Sequence, residues 1–324
     1  MIDGLHIANP TGDCVTISGH SQNITIQRSE IGPCGGRAIG ISNSNDITIV
    51  DSYLHAEFTP SSCCDTGDGV FAQNVDTILV QGNVIAFNET NIEFAQVSHA
   101  HVVGNFLLNP LGPFPRGQQF QSWGSGSDVN VIGNYTIATD DGSYPYPAHQ
   151  EDAVNFGFTD GILAQDNYIT GGQSNSGCGI IADEAANSAT FTGNTLIGTG
   201  QCGIAISSGT GQTVTNNKIL NTFLPNAGGN TAMYVWNQYP EACGPVDIEN
   251  SIAFGEKPDG TPSSFWNGGG CDPVTNTSNT WDAAAQTALT PVSTNEPPPQ
   301  IPPQPYACAA VSPYSNATSA APCN

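Results

Sequence analysis

A short segment of alternating apolar and polar residues returns along most of the chain. It reads ITIQRSEI at 24–31, ITIVDSYL at 47–54, ILVQGNVI at 78–85, AHVVGNFL at 100–107 and VNVIGNYT at 129–136. It continues as ILAQDNYI at 162–169, ATFTGNTL at 189–196 and QTVTNNKI at 212–219, with a degenerate copy, PVDIENSI, at 245–252. A period of two predicts strands with one buried face. The sixth positions are Ser29, Ser52, Asn83, Asn105, Asn134, Asn167, Asn194, Asn217 and Asn250, spaced 22 to 33 residues apart. One such unit cannot bury its apolar face alone but stacked copies can, so the pattern predicts a solenoid. The Asn column reads as a ladder in which each side-chain amide bonds the turn of the next coil.

A second strand precedes each copy: VTI (15–17), IGI (39–41), VFA (70–72), IEF (92–94), FQS (120–122), VNF (154–156), IIA (180–182), IAI (204–206) and MYV (233–235). Alternation turns the outer residues of each triplet inward and the middle ones to solvent: Thr16, Gly40, Phe71, Glu93, Gln121, Asn155, Ile181, Ala205 and Tyr234. Another column lies two residues upstream of each triplet and holds Cys178 and Cys202 in adjacent coils. Neighbouring strands are about 4.8 Å apart, within disulfide reach, so these two are expected to pair. Cys243–Cys271, Cys308–Cys323 and Cys14–Cys34 are the further expected pairs. The expected fold is all-β, a single right-handed parallel β-helix of about nine to ten coils over residues 1–255. A Pro-rich, disulfide-containing segment without regular repeat follows over 256–324.

Composition narrows the partners. The chain of 324 residues carries 28 Asp and Glu against 5 Lys and Arg, a formal charge of −23. Nucleic acid and anionic membranes bind through clustered cations, so both are disfavoured. Polyanionic glycans are disfavoured too, unless a divalent cation bridges the like charges. Ten cysteines in even number, without zinc spacing, point to disulfides and a secreted, extracellular or cell-surface protein. No apolar run reaches the roughly 20 residues of a membrane span. Coil-like sequence begins at once after Met1, so a signal peptide and an N-terminal cap are expected to have preceded it. An uncapped first coil would leave an open β edge for end-to-end self-association.

Stacked coils with Asn at a shared turn resemble the pectin-lyase-like superfamily of parallel β-helix proteins, over about residues 2–253. The resemblance implies a fold shared by polysaccharide lyases, polygalacturonase-like hydrolases, uronan epimerases, tailspike glycosidases and non-catalytic surface proteins. It also implies a groove along one parallel sheet beneath protruding loops. The lyase base is typically Arg or Lys beside calcium-binding carboxylates, and here the cations are Arg28, Arg37, Arg116, Lys218 and Lys257. The Gly-His-Gly and Arg-x-Lys motifs of the hydrolases and the Asp-Pro-His-Asp motif of the epimerases do not occur. No family's catalytic residues carry over, because a fold does not fix a function.

Two irregular segments, 109–123 and 139–156, enter successive coils at the same point and should be neighbours. They bring forward Arg116, His149, Glu151 and Asp152, with Glu93 one coil earlier, as candidate catalytic groups. Gln118, Gln121, Trp123, Tyr146, Asn155 and Phe71 are candidate substrate contacts, since amides bind sugar hydroxyls and rings stack on pyranose faces. Asp65 and Asp68 in CCDTGDG are candidate ligands for Ca²⁺. Glu93 and Asp152 lie two coils, roughly 10 Å, apart along the axis. A glycosidase pair would then need Asp152 with Glu151 or a loop carboxylate. The expected function is cleavage or binding of a polysaccharide, by lyase or hydrolase chemistry. The alternative is a non-catalytic structural or surface-attachment solenoid.

Overall fold

The computed structural model describes residues 1–56, 67–112, 117–138, 150–172, 176–222 and 231–295. The expected solenoid forms, and its coils stack with parallel pairing throughout the two sheets. Each recurring segment splits at its turn into two strands, so a coil has three faces. Strands Ile39–Val50, Val70–Gln81 and Ile92–Val103 run unbroken through the first corner. They fuse two faces into one 18-stranded sheet, and the strands after the turn form a separate 11-stranded sheet.

Register is kept by position in the repeat. Ile26, Ile49, Val80, Val102, Val131, Ala164, Phe191, Val214 and Ile248 pair in sequence as one inward row. Every member is buried. A slip of one residue would turn that row to water, which specifies the pairing strongly. Aromatic rings join the same core: Phe94, Phe120, Phe156 and Phe191 follow one another at 5.4, 5.6 and 5.9 Å between centroids.

The turn explains the Gly-Asn dipeptides. The residue before each ladder position has positive φ, as at Gly82 (66°), Gly104 (61°), Gly133 (61°), Asp166 (53°) and Gly193 (70°). Gly, Asn and Asp tolerate this conformation best. The next side chain then points inward. Asn105 Nδ2 donates to the Val80 carbonyl at 2.9 Å and to Asn134 Oδ1 at 2.9 Å, while its own Oδ1 accepts the Asn83 backbone N–H at 3.0 Å. The same set recurs at Asn134, Asn167 and Asn194.

Three expectations change. Asn250 is not a rung: it takes the positive-φ place (54°), and Ser251 Oγ accepts the Asn217 N–H at 3.2 Å. The degenerate copy is therefore shifted by one residue. Stacking also runs beyond 255. Strands Phe265–Gly269, Val274–Thr277 and Thr280–Trp281 add a coil whose rung is Asn279, bonded by the Ser251 N–H at 2.7 Å. Its largely polar and Gly-rich strands hid it from the apolar pattern. The helix Asp282–Asn295 follows, with Ala285 and Leu289 packed on Phe254. Finally, the middle residues Asn155, Ile181, Ala205 and Tyr234 face out from their sheet yet are buried. Of these, Ile181 and Tyr234 line the floor of a cavity rather than an open surface. Residues 296–324, with Cys308 and Cys323, lie outside the described residues, as do Cys63 and Cys64.

Among the described residues three disulfides form as paired from the sequence: Cys14–Cys34, Cys178–Cys202 and Cys243–Cys271. They fit an oxidising compartment. No described helix is long and apolar enough to cross a membrane.

Replacing Asn134 by Ala strands buried groups on both neighbouring coils. Each orphaned group costs about 1–3 kcal/mol, so the loss should reach about 3 kcal/mol or more. Asn250→Ala loses no rung and should cost about 1 kcal/mol or less, from the positive φ alone. Chemical denaturation of the two variants checks the ranking.

Candidate functional site

The outward residues of the first face form two adjoining groups. The first lies over the earlier coils. Glu93 Oε1 accepts the Trp123 indole N–H at 2.8 Å, and the indole remains 40% exposed. The Arg37 guanidinium sits 3.8 Å above the Phe71 ring and ion-pairs Asp68 at 3.5 Å. Burial, then Glu93 and Glu89, push the Asp68 carboxyl up to about 7, against the pull of Arg37. Arg116, Tyr146, His149 and Asp65 lie outside the described residues.

The second group centres on Asp152, which is 3% exposed. Its Oδ1 accepts the Cys178 backbone N–H at 2.7 Å and its Oδ2 accepts the Asn155 amide at 2.9 Å. The same Asn155 nitrogen reaches Asp183 Oδ2 at 3.4 Å. The two carboxylate oxygens therefore stand no more than about 6.3 Å apart, bridged by one amide. Burial raises the Asp152 carboxyl to about 8, with Glu151 and Asp183 adding to it and the two hydrogen bonds opposing. Tyr239 hydrogen-bonds Asp183, and burial with that carboxylate holds its phenol above the usual range. Glu151 lies one step away, where Gln118 Nε2 donates to it at 3.5 Å; Gln118 in turn accepts the Thr90 hydroxyl at 3.2 Å.

These groups open into a cavity of about 930 Å³ that runs from Asp152 and Asp183 toward the later coils. Strand alternation builds its floor from Ile181 and Tyr234, with the Cys178–Cys202 disulfide packed alongside. The Tyr234 hydroxyl is held by Ser207 Oγ at 2.9 Å and Gln238 Nε2 at 2.9 Å. Trp236 and Trp266 stand at the far side, 42% and 48% exposed, their rings 5.6 Å apart and tilted at 62°. Among the described lining residues, Glu151, Asp152, Asp183 and Asp282 outnumber the cation Lys257. No described cluster of His, Cys, Asp and Glu has the makings of a metal site.

Of the sequence candidates, the structure brings together Asp152 with Asn155, Gln118 with Glu151, and Glu93 with Trp123. Glu93 and Asp152 stay two coils apart, because Glu93 pairs with Gln121 and Gln121 with Asn155. Sequence reasoning did not single out Asp183, Trp236, Trp266 or Tyr239. The first two were within reach: each follows an outward middle residue by two positions and so shares its face. Trp266 belongs to the coil that the apolar pattern did not reveal, and Tyr239 sits on a loop.

No family model matches the chain, and no curated protein matches it. Among solved structures it is similar to an alginate lyase from Paenibacillus sp. str. FPU-7, at 11% identity and TM-score 0.51. That match covers 86% of this chain and 99% of the other. The fold is a parallel β-helix. The β-helix also matches DFA-IIIase from Arthrobacter chlorophenolicus A6 (17% identity, TM-score 0.48) and the Dettilon tailspike protein (13%, 0.46). Each match covers 74% of this chain, which spans about half the length of those two proteins. At 11% identity the likeness to the alginate lyase speaks for the fold and not for residues.

Asp152 binds a proton more tightly folded than unfolded, because its carboxyl rises from 3.8 to about 8. Its contribution to stability is therefore fully present below about pH 4 and is lost as the pH climbs to about 8. Denaturation midpoints measured across that window should fall for the wild type and fall less for Asp152→Asn.

Proposed function

We propose that the protein is a glycoside hydrolase acting on an uncharged polysaccharide in the cavity above Asp152 and Asp183. The observation that carries this reading is the pair of carboxylates sharing the Asn155 amide at one end of a cavity with tryptophans at the other. Retaining glycosidases hold their carboxyls about 5–5.5 Å apart and inverting ones about 6.5–9.5 Å. The bridged geometry favours retention.

Asp152, protonated near neutral pH, is the proton donor to the glycosidic oxygen as its bond to the anomeric carbon breaks. Asp183, more open and hydrogen-bonded by Tyr239, is the carboxylate that attacks that carbon. Water activated by the ionised Asp152 then cleaves the ester and restores both groups. A uronate substrate would meet a cavity whose charged lining residues are acidic apart from Lys257, which argues against the lyase reading.

A second reading has its own support. Both Asp152 oxygens accept internal hydrogen bonds, which also suits a purely structural carboxylate beneath a binding groove. Assay of neutral and uronate glycans, with and without calcium, separates the two. Reducing ends without new absorbance at 235 nm, together with losses of about 10²-fold or more in kcat for Asp152→Asn and Asp183→Asn, are expected. Binding without cleavage across the panel favours the non-catalytic module. Activity that falls as the pH rises through about 8 would follow from loss of the Asp152 proton.

A further inference from the structure

Trp123 is a large exposed ring held in one orientation, yet it lies outside the cavity just described. Its indole N–H is fixed by Glu93 at 2.8 Å, so the ring does not need to be ordered by a ligand. The strand register decides what it is aligned with. Trp123 follows Ser122, which pairs with Phe156; Asp183 follows Ala182, which also pairs with Phe156. Ala182 pairs with Ile206, and Ile206 with Val235, whose successor is Trp236. One outward row therefore reads Trp123, Gly157, Asp183, Ser207, Trp236. Asp183 stands two strands from a tryptophan in each direction. At the usual strand spacing the row spans about 19 Å, several times the size of one pyranose ring. In the row between Trp123 and Asp183 stands only Gly157, which carries no side chain.

We propose that Trp123 is a distal sugar platform on the opposite side of the carboxylate pair from Trp236, so that one glycan chain lies along the helix axis across both. This rests on the hydrolase reading for its chemistry and extends it to an internally cutting, two-sided site. A chain bound on Trp236 alone would leave the bond at Asp183 near a chain end; a chain bound on both rings places an internal bond there.

The test uses neutral gluco-, manno-, xylo-, galacto- and fructo-oligosaccharides from disaccharide to octasaccharide. Binding is measured calorimetrically on the Asp183→Asn protein and cleavage on the active protein. Affinity should rise with length beyond the trisaccharide. Trp123→Ala on that background should weaken octasaccharide binding roughly ten-fold, the scale of a lost aromatic anchor, and trisaccharide binding much less. Trp123→Phe, which keeps a ring but not the bond to Glu93, should fall between. Internal products from a long chain are expected from the active protein, and chain-end products from its Trp123→Ala variant. A uniform loss at every length, no loss at the octasaccharide, or no binding of any oligosaccharide would overturn the platform. Length-dependent binding that needs Trp123, without cleavage by the active protein, would instead sink the hydrolase reading and leave the platform standing.

Discussion

Each ladder amide in this solenoid is bonded three ways inside an apolar core, to a carbonyl of the preceding coil and to the amide and backbone of its neighbours. A buried polar group is costly unless fully partnered, and here the partnering is what ties one coil to the next. The device works only if the backbone reverses hand one residue earlier, so a Gly, Asp or Asn stands before the rung at most levels. From this turn follow the inward row of Ile, Val and Phe, the register of both sheets and the facing of every strand. The outward positions are then free to vary, because the ladder and core already fix the backbone beneath them.

Freedom on the outside is what makes a site here. The first face carries Phe71, Glu93, Gln121, Asn155 and Tyr234 at one position and Trp123, Asp183 and Trp236 two residues on. Strand spacing sets the distances between them with little scope for drift. Burial then acts on the carboxylates: Asp152 and Asp68 are both lifted far from the usual carboxylate range, chiefly by loss of water. Of the two, Asp152 lines the cavity, and Asp68 lies with Arg37 over the earlier coils.

The fold was legible because its determinants are periodic. Val131 and Asn134 announce their roles because an apolar residue and an Asn or Ser recur at their places from coil to coil. Pairing of Cys178 with Cys202 followed from the same arithmetic. Failure came where the period weakened: the degenerate copy starts at Val246 rather than Pro245, which puts the rung at Ser251 instead of Asn250, and the polar strand at 274–277 concealed the last coil. The site was only half legible. Asp152 and Asn155 were visible as polar residues in a recurring strand, but their partner Asp183 is set by a diagonal contact between coils. The Tyr234 hydroxyl is held by Gln238 in the loop after its own strand, and neither feature leaves a trace in any single repeat.

The three cross-links have a mechanical consequence. A stack in which each coil touches only its neighbours frays from its ends, coil by coil. Cys14–Cys34 joins the first two levels, Cys243–Cys271 joins late ones and Cys178–Cys202 clamps the middle beneath Asp152. Peeling of the coils from either side meets a covalent stop before it reaches the carboxylates. Such a molecule should yield to proteases in its loops long before it unzips, and keep its central coils in register after it has been nicked.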